Sequence, residues 1–336
     1  MNPAPAADSS TRPIESVPEA SFDRVPVLLL VLVLAALPAV GSLGSWLTLT
    51  LAGLSMGLII FVIASGLTLV FGLMDVLNFG HGVFIALGAF VATSVISYAA
   101  ASGWNGFAAV FAAMLAGMGL AAAIGWAFER LIVRPVYGLH LKQILITMGG
   151  MIIGEELIKV LWGPLQIAMP LPAAFRGAWL IGETAIEKYR VFAAVVGLLV
   201  FVALAFTLNR TKIGLLIRAG VQNREMVESL GYRIRRLFVG VFVGGSALAG
   251  LGGVLWGLYQ QSVTPQIGAQ VNVLIFIVII IGGLGSTFGC FVGALLVGLM
   301  ANYTGYLAPK LALFSNIALM VAVLLWRPQG LYPVKS

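Results

Sequence analysis

One cysteine, Cys290, stands among 336 residues. A disulfide scaffold needs pairs and a thiolate zinc cluster needs several, so both are excluded. Histidine is nearly as scarce: His81 and His140 lie 59 positions apart, which leaves no local His-based metal site. Charge is the third shortage. Only 9% of the residues are Asp, Glu, Lys or Arg, where a soluble domain carries roughly 25%. So few charges cannot cover a 35.3 kDa globule in water, and a soluble enzyme is excluded. No lysine follows a glycine, so the chain has no phosphate-cradling Walker A loop of its own.

What fills the space is apolar: 60% hydrophobic residues, with 41 glycines and 14 prolines. At about 20 residues per spanning helix there is room for eight to ten crossings. Apolar runs predict spans at 26–43, 46–72, 79–101, 107–128, 143–162, 190–208, 237–259, 271–286, 288–306 and 311–326. The fold class expected is an all-α polytopic membrane protein, with broken or re-entrant helices near Asn78–Gly82 and Gly282–Gly285. Residues 1–25 are polar and Pro/Ala/Ser-rich, with no basic opening ahead of the apolar run. They read as a disordered cytoplasmic tail before an uncleaved first span, and 26–332 as the transmembrane domain.

The formal net charge of +7 is concentrated rather than spread. Residues 209–236 hold Arg210, Lys212, Arg218, Arg224, Arg233, Arg235 and Arg236 against Glu225 and Glu228. Cations gathered in a short loop between apolar blocks follow the positive-inside rule, not the face of a nucleic-acid binder. The loop is expected in the cytoplasm, and so is 129–142, with Arg130, Arg134 and Lys142. Counting crossings from these two loops places both termini on the cytoplasmic side. From Leu237 to Pro309 there is no charged residue at all, and glycines recur four apart, as at Gly240/Gly244 and Gly253/Gly257. Small residues at that spacing let helices approach closely in lipid.

Three polar groups interrupt this background. Asn78 and His81, between Asp75 and the flexible pair Gly80 and Gly82, are costly at membrane depth unless they face a cavity or a partner. Two readings stand side by side: a polar hinge lining a substrate path, and an ordinary cytoplasmic turn. Glu155, Glu156 and Lys159 fall within the 143–162 span. Glu155 and Lys159 are i,i+4 neighbours that can pair, while Glu156 has no expected local partner. A stand-alone ion-coupled secondary transporter would use such a carboxylate. In the 209–236 loop, Thr211–Ala219 predicts a short helix stopped at Gly220. Asn223 is positioned to cap a second helix that has Glu225 in its first turn and stops at Gly231. Met226, Val227 and Leu230 fall on one side of that second helix, an apolar plug suited either to a partner's groove or to the bilayer surface.

Six stretches, taken in order, carry a resemblance. They are Ser65-Gly-Leu-Thr-Leu-Val-Phe-Gly-Leu-Met74, Asn78-Phe-Gly-His-Gly82, Arg134-Pro-Val-Tyr-Gly138, Glu156 with Leu161-Trp-Gly-Pro164, Arg218-Ala219 to Leu230-Gly231, and Ile281-Gly-Gly-Leu-Gly-Ser286. Together the chain resembles the permease subunits of branched-chain amino acid ABC importers, of the LivH type. Gly80 stands where alanine is more usual. The resemblance implies a bacterial inner-membrane pore subunit that makes and breaks no covalent bond and holds no cofactor. It implies as partners a second related permease, two cytoplasmic ATPases that bind the ATP, and a periplasmic substrate-binding protein. By the same resemblance, Glu228 to Gly231 corresponds to the region that docks into the ATPase, together with Arg218, Glu225, Met226, Val227 and Leu230. Asn78, Gly80, His81, Gly82, Gly282, Gly283 and Gly285 would border the translocation path.

Overall fold

The computed structural model describes residues 25–222 and 224–333. The expected tail falls outside them except for Val25, and so does Asn223, the expected cap. Twelve α-helices occur among the described residues. They are α1 (Val25–Val40), α2 (Leu43–Met74), α3 (His81–Ala101), α4 (Gly106–Phe128), α5 (His140–Trp162) and α6 (Lys188–Arg210). After them come α7 (Lys212–Gln222), α8 (Arg224–Ser229), α9 (Ile234–Gln260), α10 (Ile267–Gly282), α11 (Thr287–Leu307) and α12 (Ala312–Trp326). All but α7 and α8 overlay the expected spans one for one. Six are long and apolar enough to cross a membrane: α2, α3, α4 with the turns that extend it to Val136, α6, α9 and α11. Three more, within α1, α10 and α12, are apolar but shorter. α5 owes its absence from both sets to Lys142, Glu155, Glu156 and Lys159.

Polar residues set where these helices begin. Ser42 accepts a hydrogen bond from the Ser45 amide at 3.2 Å, Asn105 from Phe107 at 3.0 Å and Ser286 from Gly289 at 3.0 Å. Each satisfies an amide that the first turn leaves without a partner. α2 is apolar on every side and is buried without interruption from Ile59 to Val70, so it forms the centre of the bundle. α11 and α9 lie against it, and α3 and α4 lie against α9. Glycines make these contacts close. A Cβ added at Gly57 would meet the Ala294 carbonyl at 2.7 Å, and one at Gly250 the Gly117 carbonyl at 2.6 Å. Without a hydrophobic drive between helices in lipid, such backbone approach is what holds them together. The outward faces of α5 and α6, with Leu145, Ile152, Leu199 and Phe206 exposed, suit contact with acyl chains.

The bundle has two distinct ends. At one, Arg134 and Tyr137 share a cavity wall with Arg235 and Phe238, which brings both basic loops together. At the other, short strands bridge the helices. β1 (Ile167–Ala168) pairs antiparallel with β4 (Ser262–Val263), and β2 (Ala178–Ile181) with β3 (Thr184–Glu187) around Gly182. The proline-rich 163–189 segment is therefore a structured cap at this end. The glycines Gly282–Gly285 do not break one span. They close the connection between α10 and α11, with Gly283 at φ +100° and Gly285 at φ +79°.

Candidate translocation path and coupling site

The α2–α3 connection is not a surface turn. Asn78 is 1% exposed and His81 fully buried. The His81 ring, through Nε2, lies 3.2 Å from the Ile63 carbonyl. Ile63 stands eleven residues before the end of α2, about 16 Å back along its axis at 1.5 Å per residue. α3 therefore starts inside the bundle, and residues 75–80 run back from the basic end to reach that depth. Two side chains on other helices hold the segment there. The Phe79 amide donates to Thr147 Oγ1 of α5 at 3.2 Å, and Asn272 Nδ2 of α10 donates to the Phe79 carbonyl at 3.0 Å. Asn78 Oδ1 and Nδ2, His81 Nδ1 and Asn272 Oδ1 are buried without a hydrogen-bond partner among the described residues. Buried polar atoms without partners are uncommon, so this segment holds hydrogen-bonding capacity that the present packing does not use.

Just beyond it, Gly82 of α3 packs on Gly268 of α10. A Cβ at Gly82 would sit 2.8 Å from the Gly268 carbonyl oxygen, so only glycine admits this crossing. Both residues lie at the N-terminal ends of their helices. Beside them, a cavity of about 10 Å³ is bordered by Gly82, Gly268 and the Glu155 side chain. The structure thus joins Gly82 to Glu155, residues that no local pattern connects. It does not join the two glycine-rich connections. Gly282 packs on Gly289, and Gly285 on Gly72. The Ile281 and Gly282 carbonyls accept from the Leu331 and Tyr332 amides, each at 2.9 Å. α10 itself separates this cluster from Gly268 by fourteen residues, about 21 Å.

The three charges in the second half of α5 form one unit. Lys159 Nζ lies 3.2 Å from Glu155 Oε1 and donates to Glu156 Oε1 at 2.7 Å. Glu156 therefore has a local partner after all, at i,i+3, which corrects the expectation that it would have none. One ammonium shared between two carboxylates lowers the cost of all three. The sequence Gly53-Leu-Ser55-Met-Gly57 has the spacing of a serine nucleophile motif, but it lies inside α2 and not on a strand-to-helix turn. The Ser55 hydroxyl donates to the Arg190 carbonyl at 2.6 Å and acts as a helix–helix tie.

At the basic end, α7 runs through Gly220 rather than stopping there, because Gly220 faces Ile234 and lets α9 approach. A Cβ at Gly220 would meet Ile234 Cδ1 at 2.7 Å. α8 does stop as expected. The Gly231 amide donates to the Glu228 carbonyl at 3.0 Å and the Tyr232 amide to Val227 at 3.3 Å, with Gly231 at φ +86°. That paired closure is a Schellman motif, and its left-handed position favours glycine. The expected apolar face divides in two. Val227 is 5% exposed and packs inward, whereas Met226 and Leu230 are 63% and 69% exposed, one turn apart on the outer side. Val227 anchors the helix and the other two are presented. Arg218 is exposed on α7, and the Glu225 side chain lies outside the described residues. Asn272 was missed in the sequence reading. Its signal was available, an amide within an otherwise apolar, charge-free span.

The family model described as branched-chain amino acid transport system / permease component matches residues 49–324. The high-affinity branched-chain amino acid transport system permease protein LivH of Escherichia coli K12 is 29% identical over 287 residues, covering 83% of this chain and 92% of that protein. The LivM permease protein of the same strain is 30% identical over 316 residues, covering 85% of this chain and 70% of LivM. A solved metal-chelate type ABC transporter in an inward-facing conformation covers 90% of this chain and 97% of its own, with a TM-score of 0.52 at 17% identity. At that identity it shows a shared fold only. With the match spanning most of the transmembrane bundle, the chain belongs to the family of permease components of branched-chain amino acid transport systems.

Proposed function

We propose that this chain is one of two related permease subunits of an ATP-driven importer for branched-chain amino acids, set in a bacterial inner membrane with its basic end and both termini in the cytoplasm. Two ATPases engage that end, and a substrate-binding protein delivers solute at the opposite, strand-capped end. The observation that carries the reading is α8, held by an inward Val227 and a Schellman stop at Gly231, with Met226 and Leu230 turned outward. Apolar side chains one turn apart on an exposed helix are the anchors of helix-in-groove recognition. They supply the link to ATP that a chain without a phosphate loop requires. Closure of the ATPases draws the α7–α8 pair inward, and α9, which follows directly, carries the movement into the bundle. There it meets α3, whose N-terminal end crosses that of α10 at Gly82 and Gly268. The segment 75–80 shifts with them, giving the buried amides of Asn78 and Asn272 new partners. A bias of about 5.5 kcal/mol takes such an equilibrium from 1:99 to 99:1.

Co-purification through a C-terminal tag in mild detergent tests the assembly. Two ATPases and a second permease are the expected companions, and recovery of this chain alone would sink the proposal. A separate experiment tests the carboxylates. Glu155→Gln and Glu156→Gln are each expected to retain uptake within about twofold, since each carboxylate shares Lys159 with the other and either amide can still accept from it. Abolished uptake with undiminished ATPase binding would instead make a carboxylate the ion-coupling group.

A further inference from the structure

At the basic end a cavity of about 230 Å³ is walled by Arg134, Tyr137, Arg235 and Phe238. We propose that it holds the phosphate of an anionic lipid headgroup from the cytoplasmic leaflet. Four observations point to a phosphate. Both arginines are exposed, and no carboxylate lies within salt-bridge distance of either among the described residues. Guanidinium groups bind phosphate through two parallel hydrogen bonds. Arg235 also lies in the first turn of α9, where the N-cap, Arg233, places no side chain on the helix amides. The Ile234 and Arg236 amides already donate to the Tyr232 and Arg233 carbonyls at 3.1 and 3.0 Å, so what this end of the 27-residue helix adds beside Arg235 is the positive end of its dipole. The nearest acid in sequence to Arg134, Glu129, is 2% exposed and accepts from the Tyr137 hydroxyl at 2.7 Å, so its charge is turned inward. Arg130, Arg233 and Arg236 raise the positive potential around the rim.

Lipid is favoured over a protein partner by what lies beside the cavity. Leu131, on the turn before Arg134, is 73% exposed, and Trp126, near the end of α4, is 49% exposed with the Arg130 guanidinium 5.5 Å above its ring. An outward tryptophan under an arginine, next to a bare leucine, is the arrangement found where acyl chains meet headgroups. Basic pockets between helices at this level bind anionic headgroups. Phe238 offers the apolar wall against which the glycerol end of a lipid would rest. The reading uses only the orientation set by the basic loops and does not depend on the solute carried.

The test is native mass spectrometry of the full chain in its purified complex, titrated with cardiolipin, phosphatidylglycerol or phosphatidylethanolamine. One tightly held anionic lipid per chain is expected, with phosphatidylethanolamine at least tenfold weaker. Arg134→Gln with Arg235→Gln should erase that preference, whereas Arg327→Gln, a cation elsewhere at the same end, should leave it intact. Arg134→Lys with Arg235→Lys keeps the charge and loses the fork, and a partial loss of affinity is expected. Full retention in the glutamine variant overturns the site, and so does equal binding by the lysine variant. Displacement of the lipid by millimolar inorganic phosphate would assign the cavity to free phosphate and overturn the lipid. Loss of ATPase from the complex in the glutamine variant, with lipid binding unchanged, would assign the surface to protein docking.

Discussion

Met226→Asp combined with Leu230→Asp lowers uptake at least tenfold and leaves the amount of permease in the membrane unchanged. Both side chains are more than 60% exposed, so neither holds the fold, and a carboxylate at either position costs the isolated subunit little. In the assembled importer the same carboxylates would be buried in the ATPase groove without partners. Apolar anchors of this kind are worth about 2–4 kcal/mol each to an interface, and every 1.4 kcal/mol is a factor of ten in affinity. The decisive readout is the yield of ATPase recovered with the tagged permease, measured beside uptake. Val227→Ala is the contrast. Its side chain is 5% exposed beneath α8, so truncating it should lower thermal stability while leaving the docking face in place. Normal uptake and normal ATPase recovery in the double variant would remove α8 from the coupling role.

The divided face of α8 also shows where sequence reading stops. Residues at i, i+1 and i+4 share one side of a helix, but a side is about 100° wide, and a neighbour can claim part of it. α7 and α9 claim Val227 and leave Met226 and Leu230 outside. The ten expected spans were legible because each is a largely apolar run bounded by polar residues or glycines, and six of them are long and apolar enough to cross a membrane. The Gly231 stop was legible because a left-handed position names its own residue. Gly220 looked like a second stop. It proved to be a contact glycine, a distinction that depends on Ile234 arriving from another helix. The depth of Asn78 and His81 was not legible either. The turn and hinge readings share one local sequence, and only the approach of His81 to Ile63, with Thr147 and Asn272 on Phe79, separates them. Arg134 and Arg235 belong to different loops, and nothing local pairs them. What periodicity and punctuation determine was readable, and what tertiary contact determines was not.

Gly82→Leu is the substitution expected to damage the bundle most. Its Cβ would stand 2.8 Å from the Gly268 carbonyl, and the obstacle is backbone, which cannot rotate away as a side chain does. Helices α3 and α10 must separate, and overpacking of this kind costs about 1–3 kcal/mol, occasionally more. In the transport cycle proposed above α3 and α10 move at this crossing, so uptake should fall further than stability does. A drop of several degrees in the unfolding midpoint in detergent is expected, with uptake near background. Gly119→Leu in α4 is the control, because a Cβ there meets nothing within 4 Å. It should behave as the unaltered protein. Gly268→Ala approaches the same contact from the other side, since its Cβ runs into the Gly82 carbonyl. Once one methyl has forced the helices apart, the second finds room already made. Gly82→Ala with Gly268→Ala should therefore cost clearly less than the two single changes together, as for residues that share one contact. Strict additivity would mean that the two glycines are needed for separate reasons and that their crossing is not the constraint.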